Sequence, residues 1–190
     1  MSHDRPVPPT RPATPEEWRA YLLMYGDIYL RTANEYRLPG ITEEQRRTRW
    51  LGRAPATEEA VAAAEERLGV RLPPSLRAFL KASDGWPAVD GWTEAVCSCA
   101  ELAWMRESEG SDYIVDMYRD LGEADEYVAL FERALEVAYG EDLWLLDPAR
   151  VNADGEWGAV LFEVKYGELK EFPDFIALVH DSYATMTTTP

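Results

Sequence analysis

The sequence predicts an α+β fold, in which helices pack against a mainly antiparallel sheet and an N-terminal helical extension precedes them. Helical patterns dominate the first half of the chain and strand patterns the second, without a regular alternation of the two. The 190 residues, 46% of them hydrophobic, suffice for one domain with a core and are few for two. We therefore expect a single folded unit.

The N-terminus predicts a tail followed by a capped helix. Five prolines stand within residues 1–15, a density that blocks helix and sheet, so we predict a mobile tail over residues 1–14. Thr14 to Glu17 forms a capping box that starts a helix at Pro15. Helical spacing of apolar and aromatic residues then predicts a core-facing stripe of Trp18, Tyr21, Leu22, Tyr25, Ile28 and Tyr29.

Three more helix starts follow in the first half. A second capping box at Thr42 begins a short, arginine-rich helix. Thr57 caps the next helix, and Gly69 supplies its left-handed end. Leu72-Pro73-Pro74 restarts the chain in a helix that ends at Asp84-Gly85.

The second half contains most of the predicted strands. We predict a strand and turn over 96–105, a helix over 123–139 that stops at Gly140, strands over 143–146 and 157–164, and a final helix over 173–186. The two strands are expected to connect through Asp147-Pro148 and the turn pair Asp154-Gly155.

The net charge of −16 is distributed unevenly and excludes some partners. Residues 1–53 carry nine arginines and seven acids, so the remainder carries a net charge of −18. Such a field repels nucleic acid and anionic membranes and attracts basic partners, although it also serves simple solubility. No apolar run is long enough to span a bilayer, there is no secretory signal, and two cysteines suit a reducing compartment. We expect a cytoplasmic protein.

No motif of catalysis or cofactor binding stands out. Cys97-Ser98-Cys99 lacks a third ligand nearby, so both thiols are expected on one face of a strand as small core residues. His3 and His180 have no partner at a metal-binding spacing, and phosphate loops and nucleophile elbows are absent from the sequence. We predict no catalytic residue, no cofactor and no metal.

Ordered motifs over residues 50–180 resemble those of the SUKH superfamily, which includes the fungal Smi–Knr cell-wall regulators and many bacterial immunity proteins. The motifs are Trp50-Leu51-Gly52, Pro55-Ala56-Thr57, Glu65 to Leu72-Pro73, Phe79-Leu80, Asp84-Gly85-Trp86, Cys99 to Trp104, Leu145 to Pro148, Asp154 to Trp157 and Phe172 to Phe175. Gly158 stands where the superfamily usually has a second tryptophan. The resemblance implies one SUKH-like domain over 15–190, with added N-terminal helices at 15–49 and a core at 50–190.

The resemblance also implies a function. We expect a non-catalytic immunity protein that neutralises a cognate bacterial toxin, itself basic, by protein–protein contact; the alternative is a regulatory scaffold linked to cell-wall synthesis. The acidic stretch 107–142 is the expected interface, with two interleaved tyrosines as anchors. The candidate partner-binding residues are Glu107, Glu109, Asp112, Tyr113, Asp116, Tyr118, Asp120, Glu123, Asp125 and Glu126. A solvated helix face and loop is the other interpretation of this stretch.

Overall fold

The computed structural model describes residues 11–122 and 125–188, and within them an antiparallel sheet lies between two helical layers. This confirms the predicted α+β fold with its N-terminal helical segment. The helices are α1 (Pro15–Thr32), α2 (Glu43–Thr48), α3 (Glu58–Leu68), α4 (Pro74–Ala82), α5 (Asp112–Leu121), α6 (Asp125–Arg133) and α7 (Phe175–Thr188). The strands are β1 (Thr93–Val96), β2 (Ala103–Trp104), β3 (Leu135–Gly140), β4 (Leu143–Val151), β5 (Trp157–Glu163) and β6 (Glu168–Phe172).

The sheet separates two apolar cores. Its strand order is β1-β3-β4-β5-β6, and β2 pairs with β3 as well. Because side chains alternate along a strand, Trp144 and Ala159 face the core formed with α1, α4 and α7. Leu145 and Val160 face the smaller core formed with α5 and α6. Both faces of the central strands are therefore buried.

Helix α1 is an integral part of the larger core. Its predicted capping box is confirmed, since Thr14 accepts a hydrogen bond from the Glu17 amide and Glu17 accepts from the Thr14 amide. Trp18 is fully buried, and its ring lies 5.3 Å from Phe79 of α4 and 5.8 Å from Phe175 of α7. The aromatic stripe of α1 therefore packs on its own chain.

Two predicted elements are wrong. The helix predicted over 123–139 ends at Arg133, and residues 135–140 form β3, because pairing with both β1 and β4 outweighs the helical spacing of Leu135. The strand predicted from Val96 ends there; it begins at Thr93, and a turn follows before the short β2. Cys97 and Cys99 therefore lie after β1.

Further differences concern the second half of the sheet. Asp147 and Pro148 lie inside β4, where pairing is irregular between Asp147 and Val151, and do not connect two strands. Strand β6 was not predicted, because its charged residues suit an edge that pairs only with β5. Residues 1–10 of the predicted tail lie outside the described residues, whereas Arg11 forms an ion pair with the buried Asp174.

Candidate functional site

An acidic groove opens beside β1 and β3, at the edge of the smaller core. Its walls come from β1, β3, the turn after β1, the segment 107–111 and the start of α5, and its volume is about 680 Å³. The residues lining it are Glu94, Cys97, Glu101, Ala103, Glu107, Ser108, Glu109, Gly110, Ser111, Tyr113, Ile114, Glu136, Tyr139, Gly140, Glu141, Leu143 and Val164. We call this feature the acidic groove.

Six glutamates line the acidic groove, and within the described ranges no lysine or arginine lines it. Glu101 pairs with Arg53 at 3.1 Å, and Glu107 pairs with Arg106 at 3.3 Å. Burial alone would raise the pKa of Glu101, but hydrogen bonds from Ser98 and Arg53 outweigh it and lower that pKa. Glu94, Glu109 and Glu141 are exposed and form no ion pair within residues 11–122 and 125–188. The groove thus carries negative charge that the described residues only partly balance.

Glu136 lies at the floor of the groove and is only 5% exposed. Its Oε1 accepts a hydrogen bond of 2.9 Å from the Ser108 hydroxyl, while its buried Oε2 has no partner within the described part of the chain. Burial raises the pKa of the Glu136 carboxyl, and the hydroxyls of Ser111 and Ser108 offset this only in part. Burying an incompletely paired carboxylate lowers the stability of the fold, and a functional role can explain its presence.

The sequence prediction identified part of this groove. Of the predicted residues, Glu107, Glu109 and Tyr113 line it. The remaining described ones do not line it. Tyr118 packs against the smaller core, and the others lie on the outer faces of α5 and α6: Asp112, Asp116, Asp120, Asp125 and Glu126. Glu123 lies outside the described residues. The fold therefore divides the predicted interface into a groove wall and an outer helical face.

Tyr118 packs against the smaller core and is not an exposed aromatic anchor. It is half-buried, with its ring 5.2 Å from Phe131 and 6.1 Å from Phe162. Tyr113, in contrast, is 57% exposed beside the groove. Of the two predicted anchors, Tyr113 alone is available to a partner without unpacking the smaller core.

The candidate site residues omit four groove glutamates that come from different parts of the fold. Glu94 lies on β1, Glu101 in the following turn, Glu136 on β3 and Glu141 between β3 and β4, so only the fold brings them together. Glu136 was counted among the acids of a predicted helix. As a strand, the run Leu135-Glu136-Val137 places the glutamate on the opposite face from its two apolar neighbours, a signal visible in the sequence.

Several of the acidic motif residues have structural roles. Glu65 accepts hydrogen bonds from the Leu72 amide and from Arg77, and Asp84 accepts one from the Cys99 amide. Asp174 accepts from the Ala177 amide at the start of α7. These side chains hold loops and helix ends in place, so they are not available to a ligand.

The two cysteines belong to the larger core. Cys97 and Cys99 are buried and free, as expected for small core residues. Burial raises the pKa of the Cys97 thiol, and burial together with Asp84 raises that of Cys99 to about 12. Both sulfurs are therefore protonated and unreactive at neutral pH.

The described ranges contain neither a metal-binding cluster nor a helix that could span a membrane. No three His, Cys, Asp or Glu side chains there come close enough together to hold a metal ion. None of the helices there combines the length and the apolar character needed to cross a membrane.

These features define an α+β domain with helices on both faces of an antiparallel sheet and an acidic surface groove. The chain belongs to the SMI1/KNR4 family (SUKH-1), whose family model matches residues 55–186. The predicted superfamily is thereby confirmed. No curated protein sequence matches the chain. The family is generally one of non-catalytic immunity and scaffold domains that interact with proteins.

Proposed function

We propose that this chain is a cytoplasmic, non-catalytic immunity protein that binds and neutralises a cognate bacterial toxin, and that the acidic groove is part of its contact surface. The observation that carries the proposal is the convergence of six glutamates on one groove that no described cation lines. Such a surface accelerates association with a basic partner and rejects nucleic acid. An inhibitor of this kind competes with the anionic substrate of a basic toxin domain.

The alternative role, a regulatory scaffold that docks through its arginine-rich N-terminal segment, has less support. Arg46 donates to the Leu38 carbonyl, and Arg47 pairs with Glu44. Arg49 pairs with Asp27 of α1, so these side chains are engaged within the chain. Among the described residues, this segment offers no unengaged arginine cluster for docking.

The test is binding to a basic toxin domain encoded beside this gene, measured by calorimetry at several salt concentrations. We expect one-to-one binding that weakens steeply with salt. Glu109→Lys with Glu141→Lys should weaken binding by roughly 100-fold, since two like charges then face the partner. Glu35→Lys with Glu66→Lys makes the same charge change at exposed sites outside the groove and should have a much smaller effect. Equal losses in the two double variants would argue against the groove, and no binding at low salt would refute the pairing.

A further inference from the structure

Glu136 occupies a position on β3 where the fold otherwise places apolar side chains. In the sheet it pairs with Leu145 of β4, which faces the smaller core. Leu143 and Val160 of the neighbouring strands face the same core. A carboxylate at this position is costly to bury, because its surroundings replace only part of the hydration that it loses.

The surroundings of Glu136 offset only part of the free-energy cost of burying its carboxylate. Ser108 donates to one carboxylate oxygen, and the Ser111 hydroxyl also favours the charged form, but the second oxygen is buried without a hydrogen-bond partner in the part of the chain that the structure describes. Arg53 and Arg106, which contact residues of the groove, pair with Glu101 and Glu107 instead. The missing partner of Glu136 is therefore a hydrogen-bond donor, best a cation, that the described residues do not supply.

The groove above Glu136 has room and chemistry for such a donor. Its volume of about 680 Å³ lies within the range of ligand-binding pockets, roughly 300–1,000 Å³. Tyr113 and Tyr139 contribute aromatic rings to its wall, and Glu109 and Glu141 add exposed carboxylates that form no ion pair with any described residue. A planar cation with several donors fits this combination better than a compact ammonium group, because it can stack on a ring and bond a carboxylate with two donors at once.

We propose that the acidic groove receives an arginine side chain from the protein partner and that its guanidinium group pairs with Glu136. Binding requires a rotation of the Glu136 carboxylate, since Oε2 is covered in the free chain. The proposal rests on the proposed function, which supplies the partner, and it specifies how that partner is anchored. Arginine in a desolvated pocket is a common source of concentrated binding energy at protein interfaces.

The first experiment uses short blocked peptides as probes of the full chain. Carboxyl resonances of glutamate are followed by NMR while Gly-Arg-Gly, Gly-Lys-Gly or Gly-citrulline-Gly is added. We expect the arginine peptide to shift the Glu136 resonance and to bind about tenfold more tightly than the citrulline peptide, which keeps the shape without the charge. Equal binding of arginine and citrulline peptides, or tighter binding of lysine, would overturn the proposal.

Variants of Glu136 distinguish a specific contact with this residue from a general attraction to the acidic protein. Glu136→Gln keeps the size of the side chain and should weaken arginine-peptide binding about tenfold, while Glu66→Gln outside the groove should leave it unchanged. Glu136→Leu suits the apolar neighbours of the site, so it provides a folded variant should Gln fail to fold, and it should abolish binding. Unchanged peptide binding in a folded Glu136 variant would refute the anchor.

The two proposals fail in different ways. If the neighbouring toxin domain binds the Glu136→Gln variant as tightly as the wild type, the anchor is wrong and the immunity function stands. If no toxin domain binds but binding of the arginine peptide still depends on Glu136, the proposed immunity function is wrong and the groove remains a site for arginine.

Discussion

Glu156 and Ser75 are 81 residues apart in the chain, yet the Glu156 carboxylate accepts hydrogen bonds from both the Ser75 amide, at 2.8 Å, and the Ser75 hydroxyl, at 2.6 Å. Ser75 lies in the first turn of α4, so a buried carboxylate from the turn before β5 satisfies an amide that the helix itself leaves unpaired. The Asp154-Gly155-Glu156-Trp157 motif therefore joins the sheet to α4.

Removing this link should destabilise the fold. We expect Glu156→Ala to lower the free energy of unfolding by about 2–3 kcal/mol, because it leaves the buried Ser75 amide without an acceptor. Ser75→Ala should cost about 1 kcal/mol, and the double variant about as much as Glu156→Ala alone. Urea unfolding measures all three, with Glu66→Ala as an exposed control; additive losses would contradict the link.

Glu136 should show the opposite behaviour. We expect Glu136→Leu to raise the free energy of unfolding by about 1 kcal/mol or more, since it removes a buried carboxylate with one oxygen that no described residue pairs. Thermal unfolding would then show a higher Tm for this variant, while a binding assay would show that it no longer binds its partner. A marked loss of stability would instead indicate a structural role for Glu136.

The ion pair between Arg133 and Asp147 should stabilise the fold at neutral pH and lose this effect at acidic pH. Arg133 donates two hydrogen bonds, of 2.7 and 2.8 Å, to the buried carboxylate. Burial alone would raise the pKa of Asp147, but the bonds from Arg133 and the Ala149 amide outweigh it and lower that pKa. A lowered pKa gives stability that is present above the ordinary pKa of aspartate and lost as the pH falls.

We therefore expect Arg133→Ala to cost about 2 kcal/mol at pH 7 and clearly less at pH 3. The cost stays below the roughly 3–5 kcal/mol of fully buried pairs, because Arg133 is half-exposed and Arg150 remains 3.5 Å from Asp147. Urea unfolding at the two pH values checks this. Arg47→Ala, which breaks an exposed pair with Glu44, should cost less than about 0.5 kcal/mol at both; a cost of Arg133→Ala that does not depend on pH would contradict the assignment.

Asp142 should have the reverse pH dependence. Burial and the neighbouring Glu163, Asp90 and Glu141 raise its pKa from 3.8 to about 6. The folded chain therefore binds a proton more tightly than the unfolded chain, so stability falls as the pH rises through this window.

Asp142→Asn should stabilise the protein at pH 8 by about 1–2 kcal/mol, since solvent screens part of the repulsion, and should have little effect at pH 4. The asparagine oxygen can still accept the backbone hydrogen bond from Val164. Chemical unfolding at the two pH values tests this, and Asp120→Asn, at an exposed position, serves as the control. A gain that is equal at both pH values would show that charge is not the cause.

Local rules predicted the helix starts well, because caps depend on neighbouring residues. Thr42 and Thr57 cap their helices as expected, and Gly69 ends α3 in a left-handed conformation. The error over residues 123–139 arose because α6 passes into β3 with a single residue, Ala134, between them. Only pairing with strands distant in sequence determines that Leu135 is extended.

The groove was predictable in part for the same reason. Glu107, Glu109 and Tyr113 are close in sequence and could be proposed from the local density of acids and aromatic residues. Glu94 and Glu136 join them only because β1 pairs with β3. Charge counting therefore included Glu136 in the acidic stretch but could not show that it forms the floor of a groove whose wall holds Glu107 and Glu109.

The position of Trp18 has a practical consequence for producing the protein. The family match covers residues 55–186, but the indole of Trp18 packs against both Phe79 and Phe175, which lie inside that match. A chain trimmed to residues 55–186 would expose the apolar surface that α1 covers, and such surfaces cause aggregation during expression. The smallest unit worth purifying therefore begins before Thr14.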